Sequence, residues 1–95
     1  MAKIRRIVLD VLKPHSPNMV DMANQIADLP GVIGVDISLI EIDQKVENVK
    51  ITCEGESIDY NELEKVITHN GASIHSLDKV SAGKSLIEEA KTQQD

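Results

Sequence analysis

The alternation of residues in Ile4–Leu12 constrains the fold most strongly. Its odd positions from residue 7 onward are apolar, whereas its even positions include Arg6 and Asp10. A period of two residues is typical of a β-strand that buries one of its faces. We therefore predict a first strand in this segment, with the odd positions facing the core.

A second segment, Val46–Glu54, fits this strand in one antiparallel register. When Leu9 is placed opposite Ile51, apolar residues face one another on the core side. The same register places Arg6 opposite Glu54, and it places Asp10 opposite Lys50. Opposite charges in such cross-strand pairs stabilise a sheet by roughly 0.2–1 kcal/mol. A shift of one residue would break every pair, so the two strands are predicted to be neighbours.

The remaining patterns complete the order βαββαβ. Residues 17–28 and 59–69 carry apolar residues at helical spacing, with Ser16 and Asp59 as the predicted N-caps. Strand patterns cover 32–42 and 72–80. Two right-handed crossovers around a hairpin give the sheet order 4-1-3-2 with both helices on one face. We predict an α+β ferredoxin-like sandwich, one domain over residues 1–95, whose tail frays from about residue 91.

Composition excludes several classes of function. The formal net charge of −6 disfavours binding to a phosphate backbone. RNA recognition by this fold uses aromatic side chains to stack bases, and Tyr60 is the only aromatic residue. No apolar run is long enough to span a bilayer, and Cys53 is the only cysteine, which excludes an internal disulfide. We expect a cytoplasmic protein that binds neither nucleic acid nor a membrane.

Several short motifs resemble a small archaeal protein family of unknown function. They are the residues of Leu9–His15, Pro17–Asn18, Leu29–Val32, Glu41–Asp43 and Ile74–Asp78. The resemblance covers nearly the whole chain. It implies the ferredoxin-like fold and cytoplasmic homo-oligomers, with a ring as the arrangement that it favours. It implies no reaction, because fold likeness alone does not transfer an activity.

An apolar set on the sheet face without helices predicts an interface. Val8, Ile40 and Ile42 are expected to point to this face. A sheet that exposes so much aliphatic surface requires a cover. We predict that a second copy of the chain covers it. The alternative is that segment 85–90 of the same chain shields the face.

Asp10, His15 and His75 are the candidates for a ligand-binding site. The predicted topology brings the end of strand one, the start of strand four and the loop at His15 to one end of the sheet. A histidine beside a carboxylate can act as a general base or bind a ligand. The alternative is structural, with Asp10 paired to Lys50 and His75 bonded locally.

Glu41, Asp43 and Glu47 are the candidates for a metal site. Extending the predicted register of strands two and three places Glu41 opposite Glu47. Like charges that face each other destabilise a sheet, and a hard cation such as Ca²⁺ would relieve the repulsion. The alternative is a solvated hairpin tip whose acidic side chains diverge.

The segment Ser81–Ser85 resembles the end of a phosphate-binding loop, but Asp78 stands where that pattern requires glycine. No catalytic motif is present. The sequence therefore predicts a non-enzymatic homo-oligomeric domain, a sensor or scaffold that binds a small ligand or a divalent cation. The alternative is a small enzyme that uses His75 and Asp10 across subunits.

Overall fold

The computed structural model describes residues 2–87 of the chain and confirms the predicted element order. The elements are β1 (Ile4–Pro14), α1 (Met19–Ala27), β2 (Val32–Ile42), β3 (Val46–Gly55), α2 (Tyr60–His69) and β4 (Ser73–Ala82). The strands form an antiparallel sheet in the order β2-β3-β1-β4. This arrangement is the ferredoxin-like α+β fold that the sequence predicts.

The predicted register of β1 and β3 is confirmed. Leu9 lies opposite Ile51, and Arg6 lies opposite Glu54, with 2.9 Å between the Arg6 Nε and Glu54 Oε2 atoms. Asp10 lies opposite Lys50, as expected. Its carboxylate, however, accepts a hydrogen bond from the side-chain amide of Asn48. The register therefore holds, while one of its two expected ion pairs is replaced by an amide contact.

The core between the sheet and the helices is aliphatic. β1, β3, both helices and the segments that flank α2 contribute its buried residues, which are Ile7, Leu9, Val11, Met22, Ile26, Val49, Ile51, Cys53, Ile58, Leu63, Ile67 and Ala72. Burial, together with the nearby charge of Glu54, raises the pKa of the Cys53 thiol to about 11. Cys53 thus behaves as the small core residue that the strand pattern predicts.

Bulges decide which side chains reach the open face, by which we mean the sheet face opposite the helices. In β2, Leu39 lies opposite Val49, but Glu41 lies opposite Asn48, so Ile40 is an extra residue. Glu41 therefore faces the open side. Ile42, which was expected on the open face, lies opposite Glu47 and so faces the helix side. The predicted pairing of Glu41 with Glu47 was wrong, because one bulged residue reverses the faces of all that follow.

The structure corrects the predicted start of the first helix and describes only part of the C-terminal segment. The first helix begins at Met19, not at residue 17, because the Asn18 side chain accepts a hydrogen bond from the Asp21 backbone N–H at 2.9 Å. Asp59 caps α2 as predicted. Of the segment 85–90, residues 85–87 form neither helix nor strand, and the remainder, like the tail from 91, lies outside the described residues.

Within residues 2–87, no helix is both long and apolar enough to cross a membrane.

Candidate functional site

A shallow depression of about 250 Å³ lies on the open face near the β2–β3 hairpin. Its lining is acidic and partly apolar, and it consists of Asp10, Leu12, Glu41, Asp43, Val46, Asn48 and His75. The residues come from all four described strands and from the hairpin turn. The depression therefore brings together residues from both predicted site groups, although in a different combination from the one expected.

The bulge in β4 places His75 at this depression. Asp10 lies opposite Ser76, and Val11 lies opposite Ile74, so His75 is the extra residue between them. Bulges commonly redirect a side chain in this way. Asp10 and His75 therefore line one depression, as the topology predicted. No hydrogen bond joins these two side chains in the described structure.

Glu41 and Asp43 also line the depression, but Glu47 does not. Asp43 Oδ1 accepts a hydrogen bond at 2.5 Å from the backbone N–H of Gln44, and the Asp43 backbone N–H donates across the turn to the Val46 carbonyl at 2.9 Å. In the part of the chain that the structure describes, no group of His, Cys, Asp or Glu residues is arranged to hold a metal ion. The predicted Glu41–Asp43–Glu47 site is therefore not assembled, because the β2 bulge separates Glu41 from Glu47.

Glu47 instead belongs to a cluster on the helix side of the sheet. One of its carboxylate oxygens lies 3.0 Å from Lys13 Nζ, and the other lies 3.0 Å from His15 Nδ1. The Lys13 side chain has 0% exposure, and its ammonium group also donates to the backbone carbonyls of Pro14 and Pro17 at 2.7 and 2.6 Å. His15 Nε2 lies 2.9 Å from the carbonyl oxygen of Gln44. His15 and His75 therefore do not share a site.

These contacts shift the pKa values of both titrating partners. The hydrogen bond to Glu47, followed by the one to the Gln44 backbone, raises the pKa of His15. The hydrogen bond to His15, followed by the one to Lys13, lowers the pKa of Glu47. The cluster therefore favours a protonated imidazole and an ionised carboxylate. The cluster connects the loop after β1 to the β2–β3 hairpin and therefore has a structural role.

The predicted interface residues differ in exposure. Ile40 and Ile42 are 59% and 61% exposed, respectively. Val8, which was expected to be exposed with them, is only 8% exposed. Val8 lies on a central strand between Thr52 and Lys79, whereas Ile40 and Ile42 end an edge strand. Leu39 and Val46 are also exposed, so the hairpin carries one group of exposed apolar residues, while Ile33, Leu77 and Val80 are exposed elsewhere on the sheet.

Sequence reasoning missed Lys13 and Asn48. Lys13 lies opposite Glu47, and Leu12 lies opposite Asn48. Both positions follow from the predicted β1–β3 register when it is extended beyond Val11, so the sequence contained the signal that would have found them.

Comparison with known proteins finds an archaeal relative of this chain. It is 50% identical over 95 residues to "Uncharacterized protein MJ0319" of Methanocaldococcus jannaschii, an alignment that covers 100% of this chain and 98% of the relative. The model of the DUF211 family, described as "Uncharacterized ArCR", matches residues 5–95. The chain therefore belongs to the DUF211 family.

Proposed function

We propose that this chain is a non-enzymatic binding domain that takes a small aliphatic amine in the open-face depression. The observation that supports this proposal is the convergence of the Asp10, Glu41 and Asp43 carboxylates at one depression. Carboxylates accept hydrogen bonds from an ammonium group, and charge-assisted bonds of this kind are strong. The net charge of −6 also favours the approach of a cation.

The lining favours an organic cation over a metal ion. Leu12 and Val46 contribute apolar surface beside the carboxylates. Methylene groups of an alkyl amine gain from contact with such surface, whereas a metal ion does not. The carboxylates are also not arranged as metal ligands within the described residues. At about 250 Å³ the depression suits a short ligand, because drug-sized molecules occupy pockets of roughly 300–1,000 Å³.

Self-association is the second part of the proposal. Ile40, Ile42 and Val46 are exposed on a hairpin at the edge of the sheet. The edge strand β2 offers unpaired backbone groups that another strand can pair with. Val46 and Asp43 belong to both the hairpin and the depression. A second copy seated on the hairpin would therefore partly close a site that is shallow in one chain.

The alternative is a small enzyme in which His75 acts as a general base beside Asp10. A base of this kind is usually oriented by a hydrogen bond to its carboxylate. Among the described residues, Asp10 is instead bonded to Asn48. We therefore favour binding over catalysis.

Titration with 1,4-diaminobutane tests the binding proposal. Backbone amide signals of the ¹⁵N-labelled chain should shift at Asp10, Glu41 and His75. Asp10→Asn with Glu41→Gln should weaken binding at least about tenfold, which is ~1.4 kcal/mol. Asp21→Asn with Glu64→Gln, which removes the same two charges from exposed residues of α1 and α2, is the matched control and should bind as the wild type does. Absence of saturable binding at millimolar diamine, or binding of calcium alone, would overturn the proposal.

Native mass spectrometry tests self-association. Ile42→Asp should reduce the number of subunits, because it places a charge in the proposed contact. Val20→Asp is the control, since Val20 is similarly exposed at 67% but lies on α1. Equal subunit numbers for the wild type and for both variants would exclude the hairpin as an interface.

A further inference from the structure

We infer that the chain carries a second ligand site, for a phosphate group, at the end of the sheet distant from the acidic depression. The site is a depression of about 490 Å³ lined by Ala2, Lys3, Arg5, Gly83 and Lys84. Its charged side chains are all cationic. In a chain with a net charge of −6, such a grouping of basic residues without a lining carboxylate distinguishes this surface from its surroundings.

A bulge in β1 builds this site. Ile4 lies opposite Ala82, but Arg6 lies opposite Ser81, so Arg5 is an extra residue in β1. The bulge lets the Arg5 side chain reach the segment that follows β4. Arg5 Nε donates to the Gly83 carbonyl at 2.9 Å, and its Nη2 atom donates to the Lys84 carbonyl at 2.5 Å. The Gly83 backbone N–H donates to the Lys3 carbonyl at 2.8 Å.

These bonds fix the guanidinium group without using all of its donors. A guanidinium has five N–H donors, and the described carbonyl partners occupy the Nε donor and one on Nη2. The remaining donors project from a group that is already held in place. A planar guanidinium is well suited to the oxygen atoms of a phosphate, and a lysine ammonium adds a point charge.

Neighbouring charges leave the site cationic. The carboxylate of Glu54 is paired with Arg6 at 2.9 Å and does not line the depression. Lys3 and Lys84 are both exposed, so their ammonium groups can reach a bound anion. The segment Ser81–Ser85 thus contributes to anion binding through Lys84 and Gly83, although it lacks the glycine pattern and the helix of a phosphate-binding loop.

The position is separate from the open-face depression. Arg5 and Leu12 stand seven positions apart on β1, which corresponds to roughly 23 Å along a strand. The depression at one end of the sheet is therefore lined by carboxylates, and the one at the other end is lined by cationic side chains. A phosphorylated small molecule would bind at the basic end only, because the acidic end repels it.

Titration of the ¹⁵N-labelled full chain with inorganic pyrophosphate at constant ionic strength tests this inference. Amide shifts should centre on Lys3, Arg5, Gly83 and Lys84. The double variant Lys3→Gln with Lys84→Gln should bind pyrophosphate at least about tenfold more weakly, since both removed charges face the anion. Arg5→Lys should also weaken binding, because it keeps the charge but loses the planar donors.

A matched double variant controls for net charge. Lys50→Gln with Lys65→Gln removes the same charge from exposed positions on β3 and α2, and its affinity should equal that of the wild type. If both double variants lost pyrophosphate affinity equally, the effect would come from the overall charge of the chain, and the proposed site would be overturned. Wild-type affinity in the Lys3/Lys84 variant, or shifts centred elsewhere, would also overturn it. Citrate at the same concentration distinguishes phosphate from carboxylate, and tighter citrate binding would contradict the ligand class.

Discussion

The ammonium group of Lys13 lies 3.0 Å from the carboxylate of Glu47, and the lysine side chain has 0% exposure. A buried charge is costly unless its hydrogen bonds are satisfied. Here the carbonyls of Pro14 and Pro17 supply the other two acceptors. An ammonium group has three N–H donors, so Lys13 is fully satisfied at the junction of β1, its following loop and the β2–β3 hairpin.

Removal of this lysine should destabilise the fold. Lys13→Ala should lower the free energy of unfolding by about 3–5 kcal/mol, because it leaves two carbonyls and one carboxylate oxygen of Glu47 without their partner. Lys13→Met keeps the aliphatic stem and should cost about 2 kcal/mol. Lys50→Met, at an exposed position on β3, should change stability by less than about 0.5 kcal/mol. Denaturant unfolding measures all three values, and equal costs at positions 13 and 50 would contradict the structural role of Lys13.

The His15–Glu47 contact should make stability depend on pH. The pKa of His15 is raised from 6.5 in the folded state, so its contribution is fully present below pH 6.5 and is lost as the pH rises through the raised value. The pKa of Glu47 is lowered from 4.5, so its contribution is present above pH 4.5 and is lost as the pH falls through the lowered value. Both contributions are present together between these two ordinary pKa values.

Thermal unfolding of His15→Gln beside the wild type measures this effect. The difference in Tm should be largest between pH 4.5 and 6.5, and it should shrink as the pH rises further. The same substitution in a Glu47→Gln background should show a weaker dependence, because the partner charge is absent and only the backbone hydrogen bonds still raise the pKa of His15. A Tm difference that stays constant from acid to alkaline pH would contradict the contact. Added salt should also reduce the difference, since His15 is exposed.

Local pattern and one register were enough to predict the fold. The pairing of Leu9 with Ile51 depends on alternating apolar residues and on matched charges, both of which are visible in the sequence. The same register, extended to Lys13 and Glu47, predicts their contact as well. A lysine at a core-facing position normally argues against continuation of a strand. Here the nearby carboxylate and carbonyl groups compensate for its burial.

The open-face site could be predicted only in part. Asp10 and His75 were expected at one end of the sheet, and they do line one depression. Glu41 reaches the same depression only because Ile40 is bulged. No sequence feature at Ile40 marks the bulge, so the alternating pattern predicted a continuous register between β2 and β3. The same bulge removes Glu41 from the position opposite Glu47.

The thiol of Cys53 should resist modification in the folded protein. Cys53 is 0% exposed and its pKa is raised to about 11, so little thiolate forms near neutral pH. Iodoacetamide should therefore react with native protein only at the rate at which it unfolds, and rapidly in guanidinium chloride. Ser38→Cys in a Cys53→Ser background places a thiol at an exposed β2 position and should react without denaturant. Rapid labelling of native Cys53, followed by mass spectrometry, would contradict its burial.

Alanine substitution should be costly at Gly31 and tolerated at Gly34, because only Gly31 has a strained backbone and no space for a side chain. Gly31 has a φ of +86°, and a Cβ atom there would lie 2.0 Å from the backbone oxygen of Ser57. Gly31→Ala should therefore lower the free energy of unfolding by about 2 kcal/mol or more, because both the conformation and the space exclude a side chain.

Gly34 has no atom within 4 Å of an added Cβ. Gly34→Ala should thus be neutral or stabilising by up to about 1 kcal/mol, since alanine restricts the unfolded chain. Urea unfolding of the two variants measures the difference, and a Gly31→Ala variant as stable as Gly34→Ala would show that the chain at Gly31 can move away from Ser57.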